Sequence, residues 1–306
     1  MNRTLITTAA STAVLTLGLG PAEVFAGDPA ERVAQYCEGP LRLADTGIEG
    51  AQELRRAFGP FAEEFSELTG VEMEFFPVAE RTAAANALRY DFLDLVLGGP
   101  SEYVVMDEIA GNVVPAWGIE RAAYGAYIVA QGHLNADSIK DLRGTHLAFG
   151  DVGSTTNHIT QGWMIEDAGL ELGRDIEYTH AGDARVQTFV NGDVDAAAIG
   201  YRDVDIIEEY DPDHDYDIVA DSGTMPRDVF VAHEQLGERC INAIGDTAIE
   251  YEDRLFQAFV QPAQEEPDTD EGQERSKYLD ATFVGDVDDS DYDMVREAYE
   301  MLGLDL

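Results

Sequence analysis

The 306-residue chain predicts an α/β fold of two lobes hinged as a clamshell, each lobe built on a mixed, mainly parallel sheet with helices on both faces. Three observations carry that prediction. Short apolar runs alternate with stretches of helical period over most of the chain, as strand–helix–strand units do. The alternation comes in two successive sets, joined at residues 124–130, which read as a strand crossing out of the first lobe. Behind an N-terminal leader, the remaining length of about 280 residues exceeds a comfortable single core.

In the first set, residues 41–44 read as a strand, 51–68 as an amphipathic helix, 71–78 as a strand and 81–88 as a short alanine-rich helix. Residues 93–97, Leu-Asp-Leu-Val-Leu, are apolar enough for a buried strand. Gly98, Gly99 and Pro100 break it and open a helix from about residue 101. In the second set a helix at 138–142 precedes a strand at 146–149, which ends at Gly150 before a helix over 156–168. Then come a strand at 176–180, a helix at 185–191, a buried strand at 194–199 and a helix at 204–210. Residues 211–217, rich in Asp with one Pro, suit a surface loop before a return strand at 218–220. From 229 onward the chain reads as mostly helical and completes the first lobe. Lobe 1 is thus expected from residues 27–122 and 218–306, and lobe 2 from residues 123–217.

Residues 1–26 have an early Arg3, an apolar middle at 13–19 and small residues around the expected cut, the form of a secretory signal. The expected address is a periplasm or an equivalent space, and no later stretch approaches the roughly 18 apolar residues of a membrane span. The chain has 61 Asp+Glu against 19 Lys+Arg, a formal net charge of −42. With 45% hydrophobic residues it is too apolar for an acidic disordered chain. The acid therefore reads as the hydrated surface of a salt-adapted globular protein, expected to be a monomer. Nucleic acid and anionic membrane are poor partners for that charge, and an anionic ligand has to be held by local dipoles and a few placed cations. Cys37 and Cys240 belong to an oxidising compartment; whether they meet within bridging distance stays open, and they carry no metal spacing.

The segment from Gly150 to His158 offers an anion cradle. First-turn N–H groups lack partners inside a helix, and the aligned peptide dipoles leave partial positive charge there. Ser154, Thr155 and Thr156 add hydroxyl donors, and His158 lies one turn on. Taken alone, the segment reads equally as a helix cap with a surface histidine. In doubly wound sheets ligands collect outside the carboxyl ends of strands, which adds residues 45–49, 79–82, 99–103 and 200–203, the last including Tyr201. Arg81 at a helix start opposes the dipole and suggests a nearby anion, against the alternative of a solvated arginine. Tyr103 is either a core aromatic or a hydroxyl donor to a ligand, and its loop position favours the second. Arg185 is a further anion contact or the partner of one of the many carboxylates. Asp203 and Asp205 suit either a ligand donor group or surface solvation, and Trp117 and Trp163 read as core or cleft-wall residues.

Residues 286–293 with Glu297 approach a calcium-hand spacing, but Asp291 stands where the turn glycine is needed, so a solvated acidic linker is the better reading. No Gly-x-Ser-x-Gly, His-Glu-x-x-His or full phosphate-loop motif is present, and Ser154 with His158 lacks an orienting third group. The expectation is a binding protein and not an enzyme, with no cofactor and no metal.

At this point the chain resembles the phosphonate/phosphite-binding proteins of ABC importers, a branch of the type 2 periplasmic binding proteins. The resemblance runs from about residue 41 to residue 233. It rests on Leu93-Asp-Leu-Val-Leu-Gly-Gly-Pro100 with Tyr103, on Ile139-Lys-Asp-Leu-Arg-Gly144, on Gly153-Ser-Thr-Thr-Asn-His158 and on Asn191-Gly-Asp-Val-Asp-Ala-Ala197. It implies that Ser154, Thr155, Thr156 and His158 hold the ligand oxygens with Tyr103 across the cleft, and that a membrane permease is the partner. The chain departs from the family where an expected histidine is missing before Arg185 and where Arg81 replaces a tyrosine. Two added cations suggest phosphate or a simple phosphonate rather than an aminoalkyl phosphonate. The alternatives are a sensor that reports an oxyanion of phosphorus or arsenic to a membrane histidine kinase, and a periplasmic hydrolase.

Overall fold

The structure, a computed structural model, describes residues 27–47, 50–78, 81–269, 272 and 275–304. Two sheets organise it. The first holds β1 (Leu41–Asp45), β2 (Met73–Phe75), β3 (Leu95–Gly98), β4 (Val113–Arg121), β10 (Asp228–His233) and β11 (Ala281–Val284). The second holds β5 (Ala126–Gln131), β6 (His146–Phe149), β7 (Glu177–His180), β8 (Ala196–Gly200) and β9 (Tyr216–Asp221). In space the orders are β11-β4-β10-β3-β1-β2 and β7-β6-β8-β5-β9.

Each sheet is parallel at one end and antiparallel at the other. The parallel pairs, β2 with β1, β1 with β3, β7 with β6 and β6 with β8, are those whose connections contain helices, as a parallel crossover requires. The expectation of mainly parallel sheets is corrected by β10, which runs antiparallel to both β3 and β4, by β11 against β4, and by β5 against β8 and β9. Of these, β5 and β10 enter their sheets through direct crossovers from the other sheet, which need no helix. The stretch at 218–220, expected to return to the first lobe, pairs with β5 as part of β9. The second crossover therefore lies at residues 222–227, after Asp221, and not at 217–218. Three strands escaped the periodicity: β4, interrupted by Pro115 and Gly118, and β10 and β11, inside a stretch read as helical.

The first-sheet helices are α1 (Pro29–Tyr36), α2 (Ala51–Thr69), α3 (Arg81–Arg89) and α4 (Pro100–Ala110); the second-sheet helices are α5 (Thr160–Asp167), α6 (Arg185–Val190) and α7 (Asp203–Tyr210). After the return come α8 (Glu238–Glu250), α9 (Glu252–Glu265) and α10 (Asp293–Leu302). Helix α2 shows why these segments fold as they do. Leu54, Ala57, Phe58, Phe61 and Phe65 recur at helical spacing and are buried, and the helix stops at Gly70, whose φ of 72° suits a residue without Cβ. Its phenylalanines join Trp117, Phe230, Phe259 and Phe283 in the core of the first sheet, with Trp117 stacked on Phe230 at 4.1 Å between centroids. Trp163 is partly buried against a second cluster on the other side of that sheet. Cys37, at the end of α1, and Cys240, in α8, form a disulfide with Cα atoms 5.0 Å apart. The expected signal segment, residues 1–26, lies outside the described residues, and no described helix is long and apolar enough to cross a membrane.

Candidate ligand site between the two sheets

The cradle segment folds as a tight loop followed by a single π-helical turn, Thr155–Ile159, that runs into α5. Gly153 turns the chain with a φ of 86°, a conformation that disfavours residues with Cβ. Ser154 follows in extended backbone and makes no capping hydrogen bond with its side chain. Ser154, Thr155, Thr156 and Asn157 line a cavity of about 350 Å³ between the sheets. Opposite them, from the first sheet, stand Asp45 and Thr46 at the end of β1, Gly98 and Gly99 at the end of β3, Arg121 at the end of β4 and Asp228 at the start of β10. Strand ends of the two sheets thus converge, as ligand sites in such sheets do.

The two halves touch at this point. The Ser101 amide donates to Thr155 Oγ1 at 3.1 Å, the Thr155 hydroxyl donates to Ser101 Oγ at 2.9 Å, and the Ser101 hydroxyl donates to the Gly153 carbonyl at 2.6 Å. Ser101 is fully buried in the first turn of α4, so these bonds join the first sheet's helix to the second sheet's loop.

Charge in the cavity is mixed. Asp45, Glu102, Asp151, Asp183 and Asp228 face Arg121 and Lys277. Asp45 accepts from the Gly47 amide at 2.6 Å and from Arg275 at 3.2 Å, and Arg275 is wholly buried with its guanidinium over the Phe58 ring. Arg121 donates to Asp228 Oδ1 at 3.0 Å and stacks on Tyr124. Burial works against the Arg121 charge, but Asp228 beside it more than restores it and holds the guanidinium above its usual pKa. Burial lifts the Asp228 carboxyl against the pull of Arg121 and Lys277, and its Oδ2 has no hydrogen-bond partner.

The sequence-predicted residues separate into groups. Ser154, Thr155 and Thr156 line this cavity. Arg185 and Tyr201 line an adjoining compartment, which Thr156 shares. Arg185 is buried and bonded to Asp203, and Tyr201 donates to Asp221 while packing on Tyr127. His158 sits behind the cradle, buried at 6% exposure, and its Nδ1 accepts from the Gly153 amide at 3.1 Å. Burial lowers its pKa to about 4, with His180 close by adding to the effect. Tyr103 requires a correction. Its ring is 1% exposed against Tyr292 and its hydroxyl donates to Asp289 at 2.8 Å, away from the cavity walls. Two residues beyond Ser101 on α4, on the opposite face of the helix, it faces the core, and the acidic stretch at 286–293 supplies its partner. That stretch also caps its own short turn through Asp288 and Asp291, so its acids serve internal contacts. Arg81 opens α3, but its side chain lies outside the described residues, as do Ile48, Glu49, Ala79 and Glu80.

Sequence reasoning missed Arg121, Lys277 and Asp228 as wall residues. Signals for two of them existed: Lys277 is one of two lysines in the chain, and Asp228 is a carboxylate at the head of an otherwise apolar run.

Comparison with known proteins agrees with the geometry. A probable ABC transporter phosphite-binding protein of Prochlorococcus marinus (strain MIT 9301) is 26% identical over 170 residues, which are 52% of this chain and 57% of that protein. The chain therefore spans little more than half the length of that curated relative. PhnD1 of that organism, the name that relative also carries, solved in complex with methylphosphonate, superposes with a TM-score of 0.60 at 18% identity, covering 86% of this chain and 98% of that one. A binding component of an ABC phosphonate transporter from Pseudomonas aeruginosa gives a TM-score of 0.59 at 16% identity, covering 87% of each chain. At those identities the structural likeness is one of fold. A family model described as "ABC transporter, phosphonate, periplasmic substrate-binding protein" matches residues 47–292, and by that match the chain belongs to the family of periplasmic substrate-binding proteins of phosphonate ABC transporters.

Proposed function

We propose that the protein captures a phosphorus oxyanion between its two sheets, acts as a monomer, and presents the closed form to a membrane permease. The carrying observation is the wall formed by residues 154–157: first-turn amides without intrahelical partners and the hydroxyls of Ser154 and Thr156, placed against Arg121 and Lys277 in one cavity. A phosphonate or phosphite offers three oxygens to such a wall, and hydrogen bonds to charged oxygens are the stronger kind. Ligand capture and closure are coupled, because Thr155 both lines the cavity and bonds Ser101 of the other half.

The ligand reading changes in one respect. The case for phosphate or a simple phosphonate rested on added cations, yet Arg185 is matched by Asp203 and five carboxylates line the cavity. Asp45 and Asp228 are matched by Arg275 and Arg121, but Asp151 also lines the cavity, so an ammonium group beside it is as acceptable as none. Isothermal titration with phosphate, phosphite, methylphosphonate and 2-aminoethylphosphonate tests the function. The expected result is saturable binding of at least one, with Kd at or below about 10 μM. No binding by any of the four refutes it, and hydrolysis of a phosphate ester would move the protein to the enzyme class.

A further inference from the structure

Beside the oxyanion cavity lies a larger compartment of about 490 Å³, and the two are continuous: Arg121, Tyr124, Thr156, Asn157 and Lys277 line both. They differ in charge. The first has five carboxylates and two cations, whereas the second sets Arg121, Arg185, Arg202 and Lys277 against Asp203, Asp205 and Glu209. In a chain of 61 acids and 19 bases, four bases to three acids on one wall inverts the composition of the molecule. Arg121 is matched by Asp228 and Arg185 by Asp203, while Lys277 also pulls on Asp228 and lies over the Tyr278 ring. Arg185 is nonetheless 7% exposed with an Nε that has no hydrogen-bond partner. Arg202 differs from both. It is exposed at the rim, forms no ion pair among the described residues, and donates to the neutral Ser276 hydroxyl at 3.2 Å. A guanidinium with a neutral partner keeps its affinity for a carboxylate, whose two oxygens match its fork.

We propose that this second compartment takes a second anionic group, so that the substrate class is a phosphonocarboxylate. The assignment rests on the reading that the first cavity holds the phosphorus oxyanion. The phosphonate sits at residues 154–157, and a short carbon chain passes Thr156 and Asn157 to bring the carboxylate to Arg202 and Lys277. Arg202 precedes α7 of the second sheet, while Ser276 precedes β11 of the first, so their bond spans the two halves. The subsite is therefore complete only when the halves are together, which makes the carboxylate a ligand of the closed form.

The test compares phosphonoacetate with phosphonoacetamide, which has the same shape but a neutral amide, by isothermal titration at one fixed salt concentration, with methylphosphonate as the single-anion reference. On the native protein, phosphonoacetate is expected to bind about tenfold or more tighter than the amide. In Arg202→Gln that ratio is expected to fall towards one. Losing the bond to Ser276 weakens closure on both ligands alike, so the ratio isolates the charge. Equal affinities on the native protein, or a ratio that survives Arg202→Gln, overturn the assignment while methylphosphonate binding leaves the oxyanion function standing. Failure of all three ligands to bind overturns both.

Discussion

His158 shows how a single buried residue can hold the loop in front of it. Its Nδ1 accepts the Gly153 amide, so that nitrogen has to be unprotonated, and burial holds the ring neutral by lowering its pKa to about 4 from 6.5. Because the folded value is the lower one, the stability that His158 contributes is fully present above pH 6.5 and is lost as the pH falls towards 4. The gap corresponds to about 3 kcal/mol at most. Protonation would set an N–H against the Gly153 N–H and loosen the loop whose carbonyl accepts from Ser101. Thermal unfolding at pH about 7.5 and about 5 is expected to show a fall in midpoint for the native protein that is reduced in His158→Gln. An equal fall in the two proteins would remove His158 as the cause. Tyr103, by contrast, was legible as a residue type and not as a role, because its partner Asp289 lies 186 residues away.

Among the elements, the crossovers and the disulfide set what can move and what cannot. Gly125, in the first crossover, has the Tyr201 ring where a Cβ would stand, at 2.3 Å, and the Gly223 carbonyl of the second crossover at 2.5 Å. The two crossovers thus meet at Gly125, with the Tyr201 ring packed on the first and its hydroxyl on Asp221 at the start of the second. Away from the hinge, Cys37 and Cys240 staple α1 to α8 across a sequence separation of 203 residues. Chain entropy puts the limit for so long a loop at about 5 kcal/mol, with measured values commonly about 2–4 kcal/mol. The double variant Cys37→Ser, Cys240→Ser is expected to lose about 2–5 kcal/mol in denaturant unfolding while ligand affinity changes little, since both cysteines lie outside the cavity walls. A large loss of affinity with unchanged stability would contradict this.

For the whole molecule, net charge governs the conditions in which the fold holds. At −42 the surface repels itself, and salt shortens the reach of that repulsion from about 10 Å at 0.1 M to about 3 Å at 1 M. Raising KCl from about 0.1 M to about 2 M is expected to lift the melting midpoint by about 5 °C or more. A midpoint that is flat or falls with salt would show that the acids are matched internally. The same field bears on the proposed ligand capture: an oxyanion would enter against it, so Arg121, Lys277 and the first-turn amides would have to act at short range.

The sequence by itself determined the elements whose signals are local. The strand–helix alternation placed β1, α2, β3 and β6 within a residue or two, and the glycine and hydroxyl string fixed where the cradle turns, because helix starts depend on the residues beside them. What only the tertiary structure decided is partnership. The antiparallel strands β4, β10 and β11, the Cys37–Cys240 pair, the turn of Tyr103 to Asp289 and the gathering of Arg121, Asp228 and Lys277 all join residues far apart in the chain. No local period encodes them. In so acidic a chain each cation has many carboxylates within reach of a guess, and packing alone selects which one it meets and which cations line the cavity.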